Sequence, residues 1–181
     1  MTLFTIRVRA KIMTIVIKPA TRQMFAALRA IELASFTTLR AAGAVTGRAT
    51  ASSAEDLQRY LAAGLLWAAL TPEALPVGFL GAYQQQGWLH IAEMDVDPVW
   101  QRQGIGRGLM AQAIKEGRAR KLRGVTLTTD RFAPFNAPFY AALGLHIVAR
   151  DECPERLKAI LAAESAAGFD ARRRVAMMML F

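Results

Sequence analysis

The sequence predicts one α/β (α+β) domain: a mixed, largely antiparallel central sheet with flanking helices. Three observations carry this. Residues 65–96 hold three β-rich runs separated by turn residues, the pattern of an antiparallel meander. Directly afterwards apolar residues recur at helical spacing over 104–120, and β-branched residues return at 125–129. A strand, a helix and a strand in that order imply a parallel, right-handed crossover. Finally, 181 residues at 54% apolar composition suffice for one packed core and argue against general disorder.

The elements follow in order. Residues 1–12 are interrupted by Arg7, Arg9 and Lys11 and lack the apolar block and small-residue site of a signal peptide. Met13 opens a tidier beginning, so 1–12 read as an N-terminal extension and 13–181 as the domain. Ile12–Lys18 alternates as a strand and stops at Pro19. Thr21 is positioned to cap a helix reaching about Thr38, with Met24, Phe25, Leu28, Ile31 and Leu39 near helical spacing. The small, polar stretch 43–51 reads as a mobile loop. Ser52 or Ser53 caps a second helix whose first turn holds Glu55 and Asp56 and which ends at Gly64.

The meander strands are Leu65–Leu70, Val77–Tyr83 and Trp88–Val96, and Pro98 bars the last from continuing. The next helix turns Ile105, Leu109 and Ala113 inward. Beyond Gly124 come a strand at 125–129, a short helix from Pro138 to Gly144 and a strand at 145–149. A helix at 154–167 with Leu157, Ile160 and Leu161 inward, and a last strand at 174–180, complete the chain.

Composition narrows the function. A single cysteine, Cys153, excludes an intramolecular disulfide and a Cys-rich zinc site, and suits a reducing cytoplasm. Two histidines, His90 and His146, argue against a His-rich site, so no metal is expected. No apolar run reaches the ~18–20 residues of a membrane span. The net charge of +9 is scattered, Arg172–Arg174 being the only run of three. No basic block interleaves with aromatics, so a dedicated nucleic-acid function is not expected.

The most informative segment is the glycine-rich loop between Asp97 and Met110, where a strand ends and a helix begins. Unpaired amides at a helix N-terminus hold phosphates, and glycines let the backbone approach them. A Walker loop would need a Lys this segment lacks, and the dinucleotide fingerprint fails because its third glycine is Leu109. Alone, the pattern also fits a flexible loop whose glycines serve only close packing.

The full string is more specific. Gln101-Arg-Gln-Gly-Ile-Gly106 resembles the Gln/Arg-x-x-Gly-x-Gly/Ala motif of the GCN5-related N-acetyltransferase (GNAT) superfamily. Glu93-Met-Asp-Val-Asp-Pro98 looks like that family's fourth strand and its exit. Asn136-Ala-Pro-Phe-Tyr-Ala-Ala-Leu-Gly-Leu145 is similar to its Asn…Phe-Tyr-x-x-Leu-Gly-Phe segment. The likeness covers Val77–Val148, and elsewhere rests on the order of elements.

The resemblance implies a GNAT-like sheet in which the parallel crossover joins the fourth and fifth strands. The fourth strand carries a bulge, the two strands splay, and the pantetheine arm of acetyl-CoA lies between them. Met94, Asp95 and Val96 would contact pantetheine and the acetyl group. Gln101, Arg102, Gln103, Gly104, Ile105, Gly106 and Arg107 would hold the pyrophosphate. Asn136 would bond pantetheine or cap the short helix. Tyr140 would act as general acid toward the coenzyme sulfur, unless it is a core tyrosine. Glu93 would act as base or amine ligand, unless it is a solvated edge carboxylate.

Two departures stand out. The Asn–Tyr spacing is shorter than in many relatives, and the fifth strand ends in Thr128, Thr129, Asp130 and Arg131, without the Glu some relatives place there. Cys153 lacks a second signal for a covalent route, which favours direct attack in a ternary complex. The expected activity is acetyl-CoA-dependent N-acetylation of an amine acceptor, small molecule or peptide, by a protein that is either a monomer or a homodimer. The acceptor loops would be 38–53 and 149–173, where Asp151, Glu152 and Glu155 suit a cationic amine as well as a solvated helix start. The rival readings are a non-catalytic acyl-CoA sensor of the same fold and a basic nucleic-acid accessory domain.

Overall fold

The computed structural model describes residues 2–8 and 11–181, with side chains from Thr14 onward. In chain order the described strands are β1 (Thr2–Val8), β2 (Lys11–Pro19), β3 (Leu66–Leu70), β4 (Pro76–Gln85), β5 (Trp88–Val96), β6 (Gly124–Asp130), β7 (His146–Ile147) and β8 (Arg174–Leu180). They form one sheet in the order β1-β2-β3-β4-β5-β6-β8-β7, antiparallel throughout except for the parallel pair β5–β6. The helices are α1 (Phe25–Ala41), α2 (Ala54–Ala62), α3 (Ile105–Ala119), α4 (Ala137–Ala141) and α5 (Glu155–Ala166). None of the described helices is long and apolar enough to cross a membrane.

Of the expected extension 1–12, residues 1, 9 and 10 lie outside the described residues. Thr2–Val8 pairs with β2, from Thr2 opposite Ile17 to Val8 opposite Lys11. At the other edge the expected strand 145–149 contracts to His146–Ile147.

Helix termini follow local chemistry. Ser53 caps α2, its hydroxyl accepting from the Asp56 amide while the Asp56 carboxylate accepts from the Ser53 amide. Thr21 does not cap α1. A single 3-10 turn, Arg22–Met24, comes first, and the Thr21 hydroxyl donates to the Gln23 side chain instead. The buried face of α1 carries Phe25, Leu28, Ile31 and Ser35, one polar residue among three apolar ones.

The sheet packs an apolar layer on each face. On one, Ile105, Leu109 and Met110 of α3 meet Leu80, Leu89, Ile91, Val125 and Leu127. On the other, Leu28 and Ile31 of α1 and Leu57 of α2 meet Leu66, Ala68 and Phe79.

One irregularity in β5 positions the site. Gly81 of β4 faces Glu93, but Ala82 faces Ile91, so Ala92 is an extra residue, a β-bulge. A bulge shifts the side-chain alternation by one. Leu89 and Ile91 pack into the α3 layer before it; Met94 and Val96 do so after it. Glu93 and Asp95 are thereby turned toward α1. Pairing between β5 and β6 is confined to Leu89–Val125 and His90–Thr126, so the strands part beyond that point.

Gly81 is also where α2 docks. A Cβ added there would lie 2.5 Å from Cδ2 of Tyr60. Gly81→Ala should therefore destabilise the protein by about 1–3 kcal/mol, the cost of overpacking. In a Tyr60→Leu background the same substitution should cost much less; equal costs in urea unfolding would show that the ring does not set the limit.

Candidate active site

The loop after β5 folds back on the strand it leaves. Asp97 Oδ1 accepts from the Val99 amide at 3.0 Å, which starts a 3-10 turn over Pro98–Trp100. Gln101 Nε2 then donates to the Val96 carbonyl at 3.0 Å. Arg102 and Gly104 adopt left-handed backbone, with φ of 62° and 85°. Gly104 precedes the first turn of α3, where no side chain caps the amides. A Cβ on Gly104 would meet nothing within 4 Å, so this glycine answers a backbone requirement and leaves the approach to the helix open.

These amides face a cavity of about 1050 Å³ that runs along the parted strands to α1. It gathers every site residue expected from the sequence except Gln103. The Gln103 side chain turns away and donates to the Val99 carbonyl at 3.3 Å. The Asn136 side chain caps nothing and lines the cavity, while its carbonyl accepts from the Tyr140 amide at 3.0 Å.

Tyr140 is buried, 8% exposed, with its ring edge-on to Phe139 at 5.1 Å. Burial pushes its hydroxyl pKa upward, and the charges of Asp95 and Glu93 push it further. The hydroxyl therefore keeps its proton at neutral pH.

Against α1 the cavity wall is acidic. The Ser35 hydroxyl donates to Asp95 Oδ1, across 60 residues of sequence, and the Asp95 carboxyl shares a further hydrogen bond with the Glu93 side chain. One helical turn before Ser35, Glu32 accepts from the Ser52 amide at 2.9 and 3.0 Å and from its hydroxyl at 3.2 Å. Burial, and then the neighbouring Asp95 charge, raise the Glu32 pKa to about 7. Burial, then Asp95 and Glu32, push Glu93 well above the usual carboxylate range. Burial also raises Asp95, against the lowering effect of its hydrogen bonds with Ser35 and Glu93. Glu32 and Ser35 escaped the sequence reading. The signal available was their spacing, which places two polar residues on the stripe that Leu28 and Ile31 turn inward.

The wall formed by β6 and β8 is polar but internally paired. Arg174 binds Glu164 through Nε at 2.9 Å and Nη2 at 2.6 Å, and Thr128 donates to Glu164 Oε1 at 2.5 Å. Arg173 holds Asp130 at 2.6 Å and 3.1 Å and also donates to the Ala42 carbonyl at 3.2 Å. The loop after α1, expected to be mobile, is thus tied near both ends, at Ala42 and at Ser52.

Two residues weighed in the sequence lie outside the cavity lining. His90 is 3% exposed, its Nδ1 3.1 Å from Thr126 Oγ1, and burial followed by the Arg156 charge lowers its pKa to about 4. Cys153 packs with Leu157 and Ala176, and burial pushes its thiol pKa upward. Among the described residues no group of three His, Cys, Asp or Glu could hold a metal ion.

Comparison with known proteins gives a consistent picture. PaiA N-acetyltransferase from Thermoplasma acidophilum, solved with coenzyme A, superposes with a TM-score of 0.70 at 14% identity, covering 92% of this chain and 99% of its own. The ribosomal-protein-S18-alanine N-acetyltransferase from Escherichia coli matches with a TM-score of 0.64 at 18% identity, over 92% and 93%. N-acetylglutamate synthase from Neisseria gonorrhoeae, complexed with coenzyme A and N-acetyl-glutamate, matches with a TM-score of 0.67 at 17% identity over 92% of this chain. The chain spans only 35% of that enzyme's length. At these identities the structures speak for the fold. The family assignment rests on sequence: residues 25–145 match the Acetyltransferase (GNAT) family. With more than half of its length so matched, the chain belongs to the GNAT family of acetyltransferases.

Proposed function

We propose that the protein transfers the acetyl group of acetyl-CoA directly to a primary amine of a small-molecule or peptide acceptor. One observation carries this reading: the parted strands β5 and β6 put an uncapped helix start, Tyr140 and Glu93 on the walls of a single cavity. The residues fit the cosubstrate. Phosphate oxygens suit the open amides of α3, with Arg102 and Arg107 adding charge. From Ile91 onward β5 has no ladder partner on the β6 side, and its backbone suits the amides of pantetheine. Acetyl-CoA would supply the activated thioester.

The chain's own groups then handle the protons. The acceptor amine must lose its proton, and Glu93, whose pKa burial raises well above the usual carboxylate range, is positioned to take it. As the new N–C bond forms and the C–S bond breaks, the Tyr140 hydroxyl is placed to give its proton to the departing thiolate. Cys153, buried and outside the cavity lining, supports direct transfer over a covalent relay. A single cysteine also suits the reducing cytoplasm.

The deciding experiment follows thiol release from acetyl-CoA across polyamines, aminoglycosides, amino acids and peptide N-termini. Coenzyme binding with no acetyl transfer to any amine would favour the acyl-CoA sensor reading instead.

Three variants test the parts. Gly106→Asp sets a carboxylate in the first turn of α3 and should abolish coenzyme binding in calorimetry while circular dichroism stays native; unchanged affinity would remove the loop from the site. Tyr140→Phe should lower kcat by about 10²-fold, the scale of general acid catalysis, with little change in coenzyme affinity; an unimpaired kcat would leave Tyr140 a packing residue. The carboxyls set the pH dependence. A raised pKa keeps Glu93 protonated at low pH, so kcat/KM should rise with pH through an acidic limb. Glu93→Gln should erase that limb. Asp95→Asn removes a neighbouring negative charge, which lets Glu93 ionise more easily and should move the limb to lower pH. A wild-type profile in the Gln variant would end the base assignment.

A further inference from the structure

Tyr140 lines the cavity, but the segment that delivers it has little packing to hold its shape. Residues 131–136 join β6 to α4 without strand or helix, and of these six Ala133 alone is buried, at 1% exposure. The amides of this stretch turn to one carboxylate instead. Asp130 Oδ1 accepts from the Phe132 amide at 2.8 Å and from the Ala133 amide at 2.7 Å. The Ala133 carbonyl accepts from the Asn136 amide at 3.0 Å, and the Asn136 carbonyl from the Tyr140 amide at 3.0 Å. A continuous run of hydrogen bonds thus leads from the Asp130 side chain to the backbone of Tyr140.

Asp130 is held in turn by Arg173, which lies outside the cavity lining. Arg173 Nε and Nη2 reach the two Asp130 oxygens at 2.6 Å and 3.1 Å. Nη2 also donates at 3.2 Å to the carbonyl of Ala42, the residue that ends α1. The guanidinium stands 5.3 Å from the Phe132 ring centroid, and the Arg173 carbonyl accepts from the Arg131 amide at 2.8 Å. Ala42 opens the loop that brings Ala44 and Val45 to the cavity. One side chain therefore joins the segment behind Tyr140 to the loop expected to meet the acceptor.

Resting on the acetyltransferase reading above, the geometry points to Asp130 and Arg173 as a positioning pair. Together they set the Tyr140 hydroxyl in place for the departing thiolate and tie it to the loop after α1. Neither residue moves the proton itself, since both Asp130 oxygens are engaged by Arg173 and the two amides. Burial alone would raise the Asp130 pKa. Arg173 and the Ala133 and Phe132 amides outweigh it and hold the carboxyl below its usual range, so the pair is charged at neutral pH. A guanidinium suits this place because its planar fork can bond a carboxylate and a carbonyl at once, whereas an ammonium has all its donors on one nitrogen. The rate is sensitive to such a support because a misplacement of about 1 Å, caused far from the chemistry, can cost about 10²-fold.

A pair with a purely structural role would lower stability on removal and leave Tyr140 where it stands. The test therefore labels the full chain with 3-fluorotyrosine. The sequence has three tyrosines, Tyr60, Tyr83 and Tyr140, and Tyr140→Phe identifies the fluorine resonance of the third. Arg173→Met should displace or broaden that resonance while Tyr60 and Tyr83 keep theirs and coenzyme A binds with unchanged affinity in calorimetry. Arg173→Gln, neutral but still polar, should do the same and replaces the Met variant if that one does not fold. Arg173→Lys restores the charge opposite Asp130 and should move the signal back toward its wild-type position. Thiol release from acetyl-CoA with the amine panel above gives the second readout. Arg173→Met should lower kcat at least about tenfold, and should change it little further in a Tyr140→Phe background. A wild-type Tyr140 resonance in the folded neutral variants would overturn the inference, as would losses in kcat that simply multiply. An unimpaired kcat in Tyr140→Phe alone would instead end the general-acid reading. With no turnover on any amine the catalytic reading falls, and the resonances still decide whether the pair positions Tyr140.

Discussion

The site depends on one extra residue. Ala92 sits in β5 without a partner in β4, and everything downstream is rotated by half a pleat. Without it, Glu93 and Asp95 would share a face with Leu89 and Ile91 and be driven against the apolar side of α3. With it, the two carboxyls meet α1 and Met94 and Val96 take their place in the core. The same strand parts from β6 beyond His90, so one stretch of backbone forms the floor of the cavity, feeds the glycine loop and aims the acids.

What the sequence disclosed and what it withheld follow from the range of the interactions involved. The meander, the crossover helix and the glycine loop were legible because each is written locally, in alternation, in four-residue spacing or in a turn. The Ser53 cap was legible for the same reason. The bulge was expected only through the family resemblance and its position was not legible, since Leu89-His90-Ile91-Ala92-Glu93-Met94 contains no glycine or proline to say where an extra residue lies. Glu32 and Ser35 read as ordinary members of a helix, because their partners, Ser52 and Asp95, are supplied by topology across 20 and 60 residues. Gln103 matched the motif by position, but its side chain satisfies the loop's own backbone. The Thr21 cap failed because a 3-10 turn intervenes, a choice that the capping residue alone does not determine.

The two walls of the cavity solve the problem of buried charge in different ways. On the β6 and β8 side, each carboxylate is met by arginine and by hydrogen-bond donors, and the geometry is fixed before any ligand binds. On the α1 side burial raises the carboxyl pKa values instead, the usual outcome when desolvation is not offset by a counter-charge. The first wall is a scaffold. It also anchors the loop after α1 through Ala42, while Ser52 ties the far end of that loop to Glu32.

His90 changes how this protein's titration behaviour is to be read. The ring sits between Tyr83, with centroids 5.0 Å apart, and Thr126, whose hydroxyl also accepts from Arg156 at 3.1 Å. Held there with a pKa near 4, it is an uncharged spacer through the whole neutral range. The other histidine, His146, lies on the exposed edge strand β7, outside the cavity lining. An inflection near neutrality in a reaction at this cavity, which in most enzymes would be assigned to imidazole, is here expected from a carboxyl such as Glu32, displaced into histidine's usual range.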